Sequence, residues 1–152
     1  MSKAKAIADI HTGLVLATVD ILAPIERVFA ALTDPAEVPK WWGSDDMYRV
    51  TSMSSDLRAG GAWRNDGLGM DGGTFTVSGV YTVVEPPHRL ELTWQPSWED
   101  YETLVSYNLL AIDGGTRVTV RHTGFGDHAE SCGSHAFGWE RVLTWLDGHF
   151  AA

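Results

Sequence analysis

The sequence has one cysteine, no apolar run of membrane-spanning length and few positive charges, and each shortage removes a class of protein. A lone Cys132 cannot close a disulfide within the chain, so packing must hold the fold. The longest apolar runs fall well short of the ~20 residues that a bilayer-spanning helix needs. The opening stretch "MSKAKAIADIHTG" has neither the apolar centre nor the cleavage pattern of a secretory signal. A cytoplasmic location is expected.

Basic residues number 11 against 20 acidic ones, a net charge of −9. Such a surface repels phosphate backbones and anionic lipid, and no Lys/Arg run overcomes this locally. Neither nucleic acid nor membrane is expected as a partner, and the surplus charge reads as a solubility feature. Repeats, low-complexity tracts and Pro/Ser linkers are also missing. Residues 1–152 are therefore expected to form one domain, with residues 1–13 as a flexible or loosely packed arm. A chain of 152 residues can bury roughly 70% of the surface exposed by its unfolded form.

Catalytic signatures are equally scarce. No G-x-S-x-G, H-E-x-x-H or P-loop spacing occurs, and no cofactor is implied. "GLGMDGG" joins strands and opens no helix, so it is no phosphate cradle. Asp45, Asp46, Glu99, Asp100 and Glu102 read as loop carboxylates facing water.

What is present is a change of hydrophobic period along the chain. "LVLATVDI" (14–21) alternates, placing Val15, Ala17, Val19 and Ile21 on one face of a strand. In "APIERVFAALTD" the period lengthens: Pro24 suits a helix start, and Ile25, Val28, Phe29 and Leu32 make one stripe. "DPAE" predicts a second short helix capped by Asp34 and stopped early by Pro39. Strands are then expected at 46–54, 61–66, 73–84, 88–96, 102–112 and 115–124, separated by Gly/Pro turn signals. "IDGGTRVTV" is a hairpin signal, and Gly79 inside a strand predicts a bulge. A last helix should run from Asp127 to about Gly148, burying Trp139, Val142, Leu143, Leu146 and Phe150. Gly133 and Gly138 weaken it and suggest close approach to the sheet or a bend.

The stretches "APIERVFAALTDPAEVPKWWG", "DLRAGGAWR", "SGVYTVVEPPHRLELTW", "GGTRVTVRHTGF" and "GWERVLTWL" resemble, in this order, the activator-of-Hsp90-ATPase C-terminal-domain-like family. That family is a branch of the START-like/polyketide-cyclase superfamily. The resemblance implies an α+β helix-grip fold. A curved antiparallel sheet of about six to seven strands would wrap a long C-terminal helix, with two short helices after the first strand. It also implies a cavity between sheet and helix. "WWG" would then close one end of that cavity, with one of Trp41 and Trp42 packed under the helix and the other at the pocket mouth. The alternative is that both are core staples.

Seven tryptophans in so small a chain suit the walls of a pocket for planar or apolar molecules. The candidate ligand-binding residues are Phe29, Trp42, Trp63, Phe75, Tyr81, Trp94, Tyr107, Trp139 and Leu143, with His122 and His135 as polar contacts. His128, Cys132 and His135, spaced four and three apart, share an arc of the long helix and form a minority candidate for a metal. Cys132 as a nucleophile would need a lowered pKa. The first functional reading is the binding of a small hydrophobic or aromatic ligand. The others are an enzyme of cyclase, hydrolase or lyase type on the same scaffold, and a chaperone-interaction module, ranked last. A homodimer through an edge strand or an exposed tryptophan is the remaining candidate partnership.

Overall fold

In a computed structural model describing residues 3–151, eight strands form one antiparallel sheet. The strands are β1 (Lys5–Asp9), β2 (Leu14–Ile21), β3 (Tyr48–Ser55), β4 (Ala62–Gly69), β5 (Thr74–Glu85), β6 (Arg89–Pro96), β7 (Thr103–Ile112) and β8 (Gly115–Thr123). Their spatial order is β1-β2-β8-β7-β6-β5-β4-β3, so the six strands after the helical insertion form a meander whose last strand pairs with β2. Helices α1 (Ile25–Thr33) and α2 (Val38–Trp41) follow β2, and α3 (Ala129–Ala151) closes the chain. The sheet curves around this long helix, which is the expected helix-grip architecture.

Alternation puts the core on the concave face. Leu90, Leu92 and Trp94 of β6 point inward, as do Val118, Val120 and His122 of β8, while Arg117 and Arg121 face solvent. The hairpin between β7 and β8 turns at Asp113–Gly114, where Gly114 has φ 76°.

Three local expectations are corrected. The strand count is eight, because Lys5–Asp9 pairs with β2 as an edge strand where a loose arm was expected. Its side chains stay largely exposed, which left no hydrophobic pattern to read; residues 1 and 2 of that stretch lie outside the described residues. Residues 35–37 form a turn, capped by Asp34 Oδ1 accepting from the Ala36 amide at 2.9 Å, and α2 starts only at Val38. Pro39 therefore opens this helix, at a position where its missing N–H leaves no hydrogen bond unmade.

Gly79 makes no bulge of its own; the register shift between β5 and β6 lies between Tyr81 and Val83. A Cβ at Gly79 would lie 2.0 Å from the Thr93 carbonyl oxygen. That same carbonyl accepts a 3.1 Å hydrogen bond from the indole of Trp63, the cross-strand partner of Gly79. The glycine is there for close approach.

A tryptophan-walled cavity under the long helix

Helix α3 rests mainly on β1 and β2. Cys132, wholly buried, anchors that side with Sγ 3.7 Å from the Leu14 carbonyl and 3.9 Å from that of Asp9. On its other side the helix stands off the sheet and leaves a cavity of about 910 Å³. Tyr48, Val50, Asn65, Phe75, Val77 and Trp94 of β3–β6 make its floor. Trp42 closes one end, and the face of α3 carrying Ser131, His135, Gly138, Trp139 and Val142 is its roof. Trp98 and Phe137, each 62% exposed, stand at its rim.

The paired tryptophans divide their work. Trp41 is buried beneath α1 and donates its indole N–H to the Ala31 carbonyl at 2.9 Å. Trp42 turns to the cavity and donates to the Tyr48 hydroxyl at 3.2 Å. Its ring stacks on Trp94 at 6.4 Å and meets Trp139 edge-on at 6.1 Å. Trp94 is the hub, with Trp139 at 5.4 Å and Trp63 at 5.5 Å. Such ring clusters hold one another in place beyond what buried area alone gives.

Of the candidate ligand residues, Trp42, Phe75, Trp94, His135 and Trp139 border the cavity. Phe29, Trp63, Tyr81, Tyr107, His122 and Leu143 are buried behind its walls. Phe29 belongs to α1, which packs on β7 and β8. Trp63 lies under Trp94, and Tyr81 is tied to Ser55 Oγ at 2.6 Å. Tyr107 lies edge-on to Trp139 at 5.7 Å, and burial holds its phenol far above the usual range. Leu143 sits one turn beyond Trp139 and is fully covered.

His122 was expected at the cavity and is instead the centre of a closed network. Trp139 Nε1 donates to His122 Nδ1 at 2.9 Å, so Nδ1 is bare and the proton is on Nε2. Nε2 then donates to Thr103 Oγ1 at 2.6 Å, and that hydroxyl donates to the Trp94 carbonyl at 3.2 Å. Every donor in this chain has an acceptor. Burial, and secondarily the neighbouring His135, push the His122 pKa well below 6.5. The network holds the indole of Trp139 and the backbone of Trp94, two of the tryptophans that border the cavity.

His135 does reach the cavity. Its Nδ1 donates to the Ser131 carbonyl at 2.8 Å, leaving Nε2 as the base nitrogen, and burial lowers its pKa. Ser131 Oγ donates to Glu99 Oε1 at 2.8 Å. Glu99 was expected in open water; it borders the cavity mouth because the β6–β7 connection folds back on α3.

The metal candidate does not assemble. His128 precedes the first helical residue and stacks on Tyr101 at 3.9 Å, Cys132 faces β1 and β2, and His135 faces the cavity. Among the described residues no three His, Cys, Asp or Glu side chains converge. Burial raises the Cys132 thiol pKa, the opposite of what a nucleophile needs.

Sequence reasoning missed Asn65, Tyr48, Val50 and Gly138. The signal for Asn65 was available, since it lies two residues after Trp63 and must share its strand face. Close approach, one of the two roles expected of Gly138, does not apply: a Cβ there would meet nothing within 4 Å. It leaves the roof open.

Residues 22–151 match the family described as Activator of Hsp90 ATPase homolog 1-like protein. The chain belongs to this family. Solved structures of similar fold include a protein of Rhodobacter sphaeroides, 25% identical, with a TM-score of 0.85 and 99% of each chain covered. Protein Ms6760 from Mycobacterium smegmatis is 23% identical with a TM-score of 0.82, covering 97% of this chain and 96% of that one. DynU16, from the dynemicin biosynthetic locus, is 21% identical with a TM-score of 0.74; the whole of this chain matches 48% of it. Among curated proteins none matches significantly. Among the described residues of this family member no helix is long and apolar enough to cross a membrane.

Proposed function

We propose that this protein binds a small apolar molecule in the cavity between α3 and strands β3–β6. One observation carries the reading: about 910 Å³ of space walled by Trp42, Trp94, Trp139, Phe75 and Tyr48. That volume lies within the roughly 300–1,000 Å³ of small-molecule sites. Filling the interior with these rings would have stabilised the fold further, so keeping the space open costs stability and calls for a compensating use. The match to a protein of a biosynthetic locus agrees with a small-molecule role and does not identify the molecule.

A catalytic reading has one observation in its favour: Glu99, Ser131 and the free Nε2 of His135 meet at the mouth. An imidazole with Nδ1 engaged and Nε2 bare has the form of a general base. Chemical change of a bound compound, abolished by His135→Gln with binding retained, separates this reading from simple carriage.

The neutral dye Nile red is expected to bind one molecule per chain, with blue-shifted emission and quenching of tryptophan fluorescence. Absence of saturable binding to the folded protein would count against the proposal.

A further inference from the structure

The Nδ1–H of His135 is given to the Ser131 carbonyl at 2.8 Å, which leaves Nε2 as an acceptor with a bare lone pair. Among the described residues nothing donates to it, yet it is not sealed in, as the unpartnered Trp94 Nε1 and Asn65 Oδ1 are. His135 as a whole is half-buried. The rings of His122 and Phe125 lie behind it, each 5.0 Å away and closed to solvent, so its open side is the cavity side.

Neighbouring polar groups are already engaged. Both nitrogens of His122 are taken, by Trp139 and Thr103, and the Ser131 hydroxyl is given to Glu99. Trp94 meets His135 edge-on with centroids 6.5 Å apart, and Trp42 and Trp139 continue the wall, so the nitrogen is set in an aromatic surface. A molecule that fills this space excludes water from Nε2, and unless it brings a proton donor the lone pair is left unpaired. Sites of this kind discriminate strongly against analogues that lack the pairing group.

The donor should be neutral. Burial is the largest influence on the His135 pKa and lowers it, so positive charge is disfavoured at this point even with Glu99 nearby. An ammonium placed on Nε2 would meet the same cost. Among neutral donors, a phenolic O–H is more acidic than an arylamine N–H and makes the stronger bond to an imidazole.

We propose that the bound molecule is aromatic and carries a neutral hydroxyl, a phenol in the simplest case, that donates to Nε2 of His135. This rests on the binding function proposed above and names the chemical class that the site selects.

Naphthalenes titrated by calorimetry at neutral pH separate the cases. 2-Naphthol offers the hydroxyl, 2-methoxynaphthalene keeps the oxygen without its proton, 2-naphthylmethylamine is an ammonium and 2-naphthoate an anion. His135→Phe keeps a flat ring against Trp94, His122 and Phe125 and removes the nitrogen. The preference for 2-naphthol over 2-methoxynaphthalene should be about tenfold larger in the wild-type protein than in His135→Phe, the effect of one hydrogen bond whose loss leaves its acceptor buried. Affinity for 2-methoxynaphthalene should change little. The wild-type protein should also bind 2-naphthol more tightly than either charged probe.

A preference that is the same in both proteins overturns the assignment, as does tightest binding of the ammonium or of the carboxylate. If His135→Phe fails to fold, His135→Leu takes its place in the comparison. If Nile red binds and 2-naphthol gains nothing from His135, the hydroxyl class is wrong and the pocket stands. If nothing binds, both readings fall.

Discussion

Replacing His122 with alanine is expected to cost about 3–5 kcal/mol of stability, with a large part arising outside the imidazole itself. The side chain is fully buried, so its removal leaves a void. It also strips the acceptor from Trp139 Nε1 and the donor from Thr103 Oγ1. A domain stable by roughly 5–15 kcal/mol loses a large share of its margin in this way. His122→Leu refills most of the space and should cost less, about 2 kcal/mol, because the orphaned indole N–H remains. Urea denaturation of the two variants measures both numbers. Equal and small losses would show that the hydrogen-bond chain carries little.

The same network sets a pH dependence. In the unfolded chain His122 takes up a proton near its ordinary pKa of 6.5, whereas burial keeps it neutral in the folded protein at that pH. The unfolded state therefore holds more protons below 6.5, and stability falls as pH drops from there towards the lower folded-state value. The slope contributed by His122 reaches at most about 1.4 kcal/mol per pH unit. His135 acts in the same direction through its own burial, opposed by the hydrogen bond to the Ser131 carbonyl and by the charge of Glu99. In His122→Leu the fall below pH 6.5 should be visibly shallower.

Gly138→Phe should weaken ligand binding by about 100-fold while leaving the fold as stable as before or more so. Inserting a large ring into a packed core normally costs about 1–3 kcal/mol. Here a Cβ meets nothing within 4 Å, and the side chain would project from the roof into the cavity. Removing a helical glycine adds up to about 1 kcal/mol when alanine replaces it, and less for phenylalanine. Gly138→Ala should therefore gain stability while keeping much of the binding. The pair dissociates stability from binding, which a merely damaged protein cannot do. Urea midpoints and Nile red titrations on the same samples provide the comparison.

The frame was legible because its strands have one wet face. β6 and β8 alternate strictly and β2 does so as far as Val19, and their inward apolar residues are those the pattern picked out. β1 was missed because an edge strand with exposed side chains is held by its backbone ladder, which leaves no trace in hydropathy. Pro39 was misread since proline both opens and ends helices, and only the neighbouring turn decides which.

The site was less legible than the frame. Inward orientation does not distinguish a residue against space from one against other residues, so Tyr107 and Trp139 looked alike. The boundary between them depends on how far α3 stands from β3–β6, a distance set by packing over the whole molecule. His122 illustrates the limit: its strand position gave the direction of the ring, and nothing local showed that Trp139 and Thr103 would occupy both nitrogens.

The central claim is that apolar molecules enter the space between α3 and β3–β6, and the seven tryptophans carry seven indole N–H signals that report on it. A two-dimensional proton–nitrogen NMR titration with Nile red follows them all in one experiment. Trp42, Trp94 and Trp139, which border the cavity, should shift saturably and together. Trp41, held to the Ala31 carbonyl outside it, should stay in place. Movement confined to the exposed Trp98, or none in a protein that remains folded, would contradict the account.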